Sequence, residues 1–497
     1  MLSLLIGLNT VHVSADTLKN VVSSVLDTNP IVTERLRNYE ATKSSIDIAK
    51  AGYYPTVDLK SSSGRKTTGK IENDVISETY NVFQNSLILR QNLFNGFSTN
   101  EKVNYQKMRT LSASYSYLSK ANDVALQAVN VAIDLEREKA LLANSNLNVK
   151  HNEITYKKVQ KAHKAGLSTF SEVSKIHSSL SLAKSNVIFQ KNKLINARHR
   201  FGRVVGKSID PASLESIPSN LQIPNTQEEA QTYALSYSPA IISGQYNIKG
   251  AQALHSESKS AFYPKVDIEL SQNYNENYNE FIGTDDRSQG LVVLSYNLYN
   301  GGADEAKKVE TLNKLNQEVS ITDDLKREVV LNVQMAWSSY ELALDQIPFL
   351  EQYQKQSHKT LTLYSSEYQL GKRSLLDLIS AENDLKRAND ELIYARYGLI
   401  QAKYSIMQSM GLIMVAIMGS EKSYYQRVGV SKNTKVKKDF SYEELNTAMQ
   451  ANHPHQTQPS NRVSKNTAKK TKNDTDESFL NLDGMVDNLK KVRWESR

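Results

Sequence analysis

The chain repeats itself, and that constrains its fold more than any single motif does. Moved along by 205 positions, the first half lays Asn92-Leu93 on Asn297-Leu298, Asn95-Gly96 on Asn300-Gly301, Gly166 on Gly371, Leu180 on Leu385 and Gly206 on Gly411. Nearer the start the offset is 209, pairing Pro30 with Pro239 and Tyr53-Tyr54-Pro55 with Phe262-Tyr263-Pro264. The difference falls between Pro55 and Asn92, where a loop can absorb it. A sequence of this kind folds as two copies of one structural unit.

Each copy reads in the same order. A helix of about 35 residues, 16–52 and then 226–261, precedes each Tyr-Pro. Proline biases the residue before it away from helix, so Pro55 and Pro264 are expected to start strands. In the first copy the extended segments are Thr56 to Arg65 and Tyr80 to Phe94, giving a hairpin over 56–94. In the second they are Lys265 to Asn275 and Ser288 to Tyr299, a hairpin over 265–299. Val266, Ile268 and Leu270 share one face, and Asp267, Glu269 and Ser271 the other. A strand of about ten residues with this alternation suits an outer-membrane barrel or a soluble hairpin with one wet face. Open strand edges are not tolerated in lipid, so four spanning strands require several chains to share one barrel.

Very long helical stretches follow the hairpins, Ser98 to Ala165 and Ala303 to Leu370, each near 100 Å at about 1.5 Å per residue. Their apolar positions step by four and three. Leu111, Tyr115, Leu118, Ala125, Val129 and Ala132 form one seam, interrupted by Asn122; Val329, Val333, Ala336, Tyr340, Ala343, Ile347 and Leu350 form the other. Pro348 is expected to kink the second. Gly166 and Gly371 interrupt strongly helical sequence, and a glycine there more naturally ends a helix than occupies its interior, where it costs about 1 kcal/mol against Ala. Helices of 35 to 40 residues then run to Gly206 and Gly411. Laid end to end with the helix before the hairpin, each matches one long helix. The fold class is therefore mainly α with some β, a duplicated long-helix coiled coil with four strands per chain.

These features resemble the TolC family of outer-membrane channel-tunnel proteins over nearly everything from Asp16 to Gly411. The resemblance rests on the duplication, the Tyr-Pro strand starts, LFNGF and LYNGG after the hairpins, and the tips KAGLSTFSEV (Lys164 to Val173) and YQLGKRSLLDLISAENDL (Tyr368 to Leu385). The second tip is most like the branch that serves type I secretion. The resemblance implies a homotrimer whose strands complete a twelve-stranded barrel in the Gram-negative outer membrane, with a long periplasmic helical tunnel. It also implies roles at the tips. Asp377 would line the closed entrance, where the next acidic position of the family is Ser380 here and Glu382 is a weaker substitute. Tyr368 and Arg373 would hold the entrance shut against Glu172 and Ser171, and Gly166, Leu167 and Gly371 would meet a periplasmic adaptor (membrane fusion) protein. An inner-membrane ABC transporter would drive an exported polypeptide through the duct; the alternative is small-molecule efflux with an RND-type pump. A soluble coiled-coil scaffold or adaptor is the alternative from another class.

Composition excludes other functions. There is no cysteine, hence no disulfide, thiolate metal site, Cys nucleophile or lipid-modified N-terminal Cys. Tyr, at 26, outnumbers Phe and Trp together and suits interfaces more than dry cores. Among the nine His, His151, His163 and His177 lie on helix at spacings of 12 and 14 that make no metal pair, and His453-Pro454-His455 reads as solvated loop rather than a weak metal site; with no phosphate loop or nucleophile elbow present, neither enzyme activity, cofactor nor metal is expected. Net charge is +8, but residues 421–497 carry 15 Lys and Arg against 10 Asp and Glu, so the basic character is largely the tail's and nucleic acid is not the expected partner. Residues 1–15 read as a truncated signal peptide, with Val13-Ser14-Ala15 as the cleavage pattern and no charged start, or as a short buried segment. The repeats are 16–205 and 226–411, joined by a linker at 206–225, and 412–497 form a polar tail, partly disordered, that remains periplasmic.

Overall fold

The computed structural model describes residues 17–70, 76–207, 214–277, 283–419 and 426–428. The signal-peptide reading of 1–15 and nearly all of the tail lie outside these residues. Element order in the first repeat is α1 (Leu18–Thr28), α2 (Pro30–Lys50), β1 (Thr56–Lys70), β2 (Ile76–Asn95), α3 (Ser98–Lys164) and α4 (Phe170–Val205). The second repeat follows with α5 (Gln227–Tyr237), α6 (Pro239–Ser258), β3 (Lys265–Glu276), β4 (Thr284–Ser295), α7 (Ala303–Gln369) and α8 (Leu375–Ser409), and a short α9 (Ile413–Met418) closes it.

The long helices are as expected, and their boundaries have local causes. Both α3 and α7 run for 67 residues. Each is entered through two left-handed residues, Gly96 (φ 64°) with Phe97 (φ 66°), and Gly301 (φ 61°) with Gly302 (φ 81°). Each ends in the same Schellman turn. Gly166 (φ 74°) donates from N to the His163 carbonyl at 2.9 Å while Leu167 N reaches the Ala162 carbonyl at 2.8 Å. Gly371 (φ 73°) and Lys372 repeat this with Tyr368 at 3.0 Å and Glu367 at 2.9 Å. Only glycine takes that backbone without strain. Pro348 sits inside α7, which remains one helix across it.

Three expectations are corrected. The helix before each hairpin is two helices, because Asn29 (ψ 125°) and Ser238 (ψ 117°) are non-helical and Pro30 and Pro239 start new helices at the first position. A proline lacks the N–H that a helix interior needs but loses nothing at that position. The strands of the first hairpin are longer than ten residues, 15 and 20, since backbone pairing extends them through polar sequence; β4 runs earlier in the chain and stops at Ser295, short of Tyr299. Residues 412–418 are not tail: Leu412, Ile413, Met414 and Val415 are buried in the main core.

α3 is the spine. Towards the hairpins it packs between α2 and α6, and towards the tips between α4 and α8, with α7 beside α6 and α8. The main core forms a belt around the middle of the bundle. Tyr115, Tyr117, Leu118 and Ile133 of α3 meet Val21, Val22 and Val25 of α1, Phe201 of α4 and Met414 of α9 there. Leu214, Ile217 and Leu221, on the connection between the repeats, cover it. Full burial of side chains this size stabilises by about 1.5 to 3 kcal/mol each. α7 is different, since Leu331, Met335, Leu342 and Phe349 stay exposed along one side of it.

Candidate functional site

The sheet is antiparallel throughout, in the order β1-β2-β3-β4. Cross-strand partners share a face, so the register sorts the side chains. Val57 and Leu59 of β1 lie with Leu87 and Leu89 of β2, Ile268 and Leu270 of β3, and Val292 and Leu294 of β4. The opposite face carries Asp58, Lys60, Arg90, Asn92, Asp267, Glu269 and Arg287, with Ile88, Leu291 and Val293 as apolar exceptions. Arg90 pairs with Glu269 at 2.9 Å, and Asn92 donates to Asp267 at 2.7 Å.

The apolar face is exposed, Leu59 and Val292 each by 72%. Aromatic residues bound it at both ends: Phe83 and Tyr274 beyond it, and Phe94, Phe97 and Tyr263 at its base, where Phe97 sits edge-on to both Phe94 (5.4 Å) and Tyr263 (6.4 Å). From Tyr263 to Tyr274 an extended chain covers about 36 Å, which a strand tilt near 40° reduces to about 27 Å, the height of a lipid-facing band. Pro55 and Pro264 occupy the residue immediately before β1 and β3. No helix among the described residues is long and apolar enough to cross a membrane.

At the other end the two tips meet. Val159, Ile176, Leu375 and Ile379 form a small core there, with Tyr156, Val173 and Tyr368 against it. Thr169 and Ser374 cap the two outgoing helices, accepting from the N–H of Glu172 (3.3 Å) and of Asp377 (3.1 Å). The two acidic residues thus occupy one repeat-related position, where a carboxylate also favours the helix N-terminus.

The structure brings some of the expected gate residues together. Tyr368 is half-buried, and its hydroxyl pKa is raised by that burial and then by the Glu172 carboxylate nearby. Glu172 itself accepts from the Ser168 hydroxyl at 2.6 Å. Arg373 instead turns to its own repeat, donating to Glu367 through Nε at 2.9 Å and Nη2 at 2.8 Å, with Asp377 at 4.0 Å and the Tyr364 ring 4.1 Å beneath. Within one chain it is not joined to Ser171, which is exposed, or to Glu172. Gly166, Leu167 and Gly371 are exposed at the extreme end. Glu382 is not at the entrance. It is buried between α8 and α3, takes a hydrogen bond from Thr155 at 2.7 Å, and has its pKa raised by burial.

Sequence reading missed Tyr364 and Glu367 as the partners of Arg373. The caps were readable, because Thr169 with Glu172 and Ser374 with Asp377 have the Ser/Thr-x-x-acid spacing of a helix start. Nothing in the spacing marks Glu367, which lies on the other side of a turn.

A membrane-height apolar band on a four-stranded sheet, joined to a duplicated bundle about 100 Å long, is the architecture of an outer-membrane channel protein. The chain belongs to the outer membrane efflux protein family, whose profile matches residues 21–207 and 232–412, nearly all of each repeat. Outer membrane efflux protein BepC of Brucella suis biovar 1 (strain 1330) is 23% identical over 350 residues, 69% of this chain and 73% of the relative. Solved structures with the same fold include CusC (TM-score 0.69, 15% identity, covering 79% of this chain and 91% of that one). The Campylobacter jejuni CmeC outer membrane channel is another (TM-score 0.68, 14% identity, covering 80% and 86%). CusC and CmeC are described as channels, and the family to which this chain belongs is one of outer-membrane efflux proteins, not of enzymes.

Proposed function

We propose that this protein is a trimeric exit duct for a type I secretion system. The observation that carries the channel reading is the sheet: apolar on one face and charged on the other, with β1 and β4 as free edges in a single chain. Edges at membrane depth must be paired, so β1 of one copy meets β4 of the next, and three copies close twelve strands around the polar face. The exposed row Leu331, Met335, Leu342 and Phe349 on α7, and Leu182, Ile188 and Phe189 on α4, supply the apolar contact between copies along the tunnel.

The tips close the periplasmic entrance. Asp377 faces the lumen, Tyr368 and Glu172 form the link within a chain, and Arg373 reaches Ser171 of the next copy when it leaves Glu367. Gly166, Leu167 and Gly371 receive the adaptor, and an inner-membrane ABC transporter drives an unfolded polypeptide through. The secretion branch is supported by the tip sequence Tyr368 to Leu385. A second reading, small-molecule efflux with an RND-type pump, is supported by BepC, described as an efflux protein.

Single-channel conductance in planar bilayers tests the duct. Small cation-selective openings are expected, growing in Arg373→Ser and losing selectivity in Asp377→Ala. No conductance from folded trimers would reject the channel, and a wide pore indifferent to both changes would reject the gate. Secretion in cells, with transport of a polypeptide set against sensitivity to small toxic compounds, separates the two cargo readings.

A further inference from the structure

The duplication holds the geometry of the two tips constant, so differences in their chemistry stand out. On α3, Lys150, Ile154, Lys157, Lys161 and Lys164 follow one another at spacings of four, three, four and three, and all five are exposed. That spacing keeps them on one straight stripe, about 21 Å long at 1.5 Å per residue. It is offset from the buried series Asn148, Asn152, Thr155 and Val159 that packs against α4 and α8, so the stripe looks away from both. The repeat-related positions on α7 are Lys355, Lys359, Thr362, Ser366 and Gln369, also all exposed. Over the final two turns the stripe therefore carries three lysines in the first repeat and no charge in the second.

The lysines have no intramolecular purpose that accounts for them. None of the four makes an ion pair among the described residues. The one acidic residue on the last four turns of α3, Glu153, is already paired with Lys184 of α4 at 3.3 Å. Lys161 and Lys164 suit the helix C-terminus, but that effect fades within a turn and does not reach Lys150 or Lys157. Like charges at these spacings oppose the helix slightly. The second tip, by contrast, neutralises itself, with Arg373 held by Glu367 and Asp377. Just past the stripe, Leu167 (83% exposed) and Phe170 (71%) add apolar surface.

We propose that this stripe is a docking seam for an acidic helix of a partner protein. The partner would lie along α3 in a coiled-coil contact, its carboxylates facing Lys150, Lys157, Lys161 and Lys164 and an apolar side chain meeting Ile154. Complementary charge fixes register and selects the partner. An unstructured acidic chain would need no such spacing, which favours a helix. The inference rests on reading the tip as the end that meets an adaptor, and it adds that the adaptor's helix is acidic and engages the first repeat rather than both equally.

The test uses the full-length protein in detergent and a synthetic three-heptad helix with glutamates at the facing positions. A glutamine version and a version broken by two prolines serve as controls. Binding of the acidic helix, weakening with salt, is expected to fall about tenfold in Lys157→Gln/Lys161→Gln/Lys164→Gln and to be unchanged in Lys355→Gln/Lys359→Gln. Equal binding to the triple variant would overturn the seam. Equally tight binding of the proline-broken peptide would overturn the helix, leaving a surface that attracts any polyanion. Conductance of the same preparations reports separately on the channel, so loss of one reading is not mistaken for loss of the other.

Discussion

Glu136 offers the sharpest quantitative test of the fold. It lies on α3 in the middle belt, beside the connection between the repeats, and burial pushes its pKa from 4.5 up to about 7 against the opposing pull of the Ile217 N–H and of Lys139. Tyr397 of α8 is close enough for the Glu136 carboxylate to add to the upward shift that burial gives its own hydroxyl. A carboxyl whose folded pKa is raised binds its proton more tightly when folded. Below about pH 4.5 it is neutral in both states and imposes no electrostatic cost; above about pH 7 it is ionised in both, and the folded state carries the whole cost. Its contribution is thus most favourable in acid and is lost as pH rises through that window. A shift of this size corresponds to an upper bound of about 3 kcal/mol per chain. Glu136→Gln keeps an acceptor for Ile217 and removes the charge. It is expected to raise stability by about 2 to 3 kcal/mol at pH 8 and to leave it within about 0.5 kcal/mol at pH 4. Thermal unfolding followed by far-ultraviolet circular dichroism at both pH values makes the comparison. An equal change at the two pH values, or a loss at pH 8, would refute the assignment.

Two other substitutions probe the ends of the long helices and the sheet. A Cβ on Gly96 would stand 2.6 Å from the Ser260 carbonyl oxygen and 2.9 Å from Tyr263 Cβ, whereas one on Gly301 meets nothing within 4 Å in the protomer. Gly96→Ala is therefore expected to abolish folded protein in membranes, and Gly301→Ala to cost about 1 kcal/mol from backbone strain alone, read as yield and melting temperature. Leu59→Lys, on the lipid-facing side of β1, is expected to destabilise the inserted protein by about 2 to 4 kcal/mol, measured by urea unfolding from vesicles, while Lys60→Gln on the polar side changes little.

Much of this architecture could be read from the residues, and the exceptions have physical reasons. Gly166 and Gly371 announced the tips because few other residues accept the left-handed turn that ends α3 and α7. The seam from Leu111 to Ala132 was legible because a buried helix face repeats at four and three, and the structure buries all of it but Leu111, which is partly buried. Pro30 and Pro239 were visible as a matched pair, yet a proline is equally at home starting a helix or lying before one, and the break at Asn29 and Ser238 emerged only with the backbone. The outer ends of β1 and β2 were hidden because a ladder is built from main-chain groups, and Ser61, Ser63 and Thr67 pair as readily as valines do. Leu412 to Met418 had the apolarity of a core segment, but only tertiary packing shows that the core it joins belongs to α1 and α3. At the tips, the caps were written in the sequence, whereas the choice of Glu367 over Glu172 by Arg373 depends on how a long side chain folds back across a turn.

The uninterrupted length of α3 has a mechanical consequence. A helix with no loop along it transmits rotation, and the belt of large buried side chains near its middle is the natural fulcrum. From that belt to the tip is about 50 Å of helix, so a turn of about 5° displaces the far end by about 4 Å. Rearrangements too small to disturb the packing of Tyr115 or Leu118 are therefore amplified, at the distal end, into displacements larger than an ion-pair contact distance. The bundle has the proportions of a lever pivoting at that belt, with its largest travel at the tips.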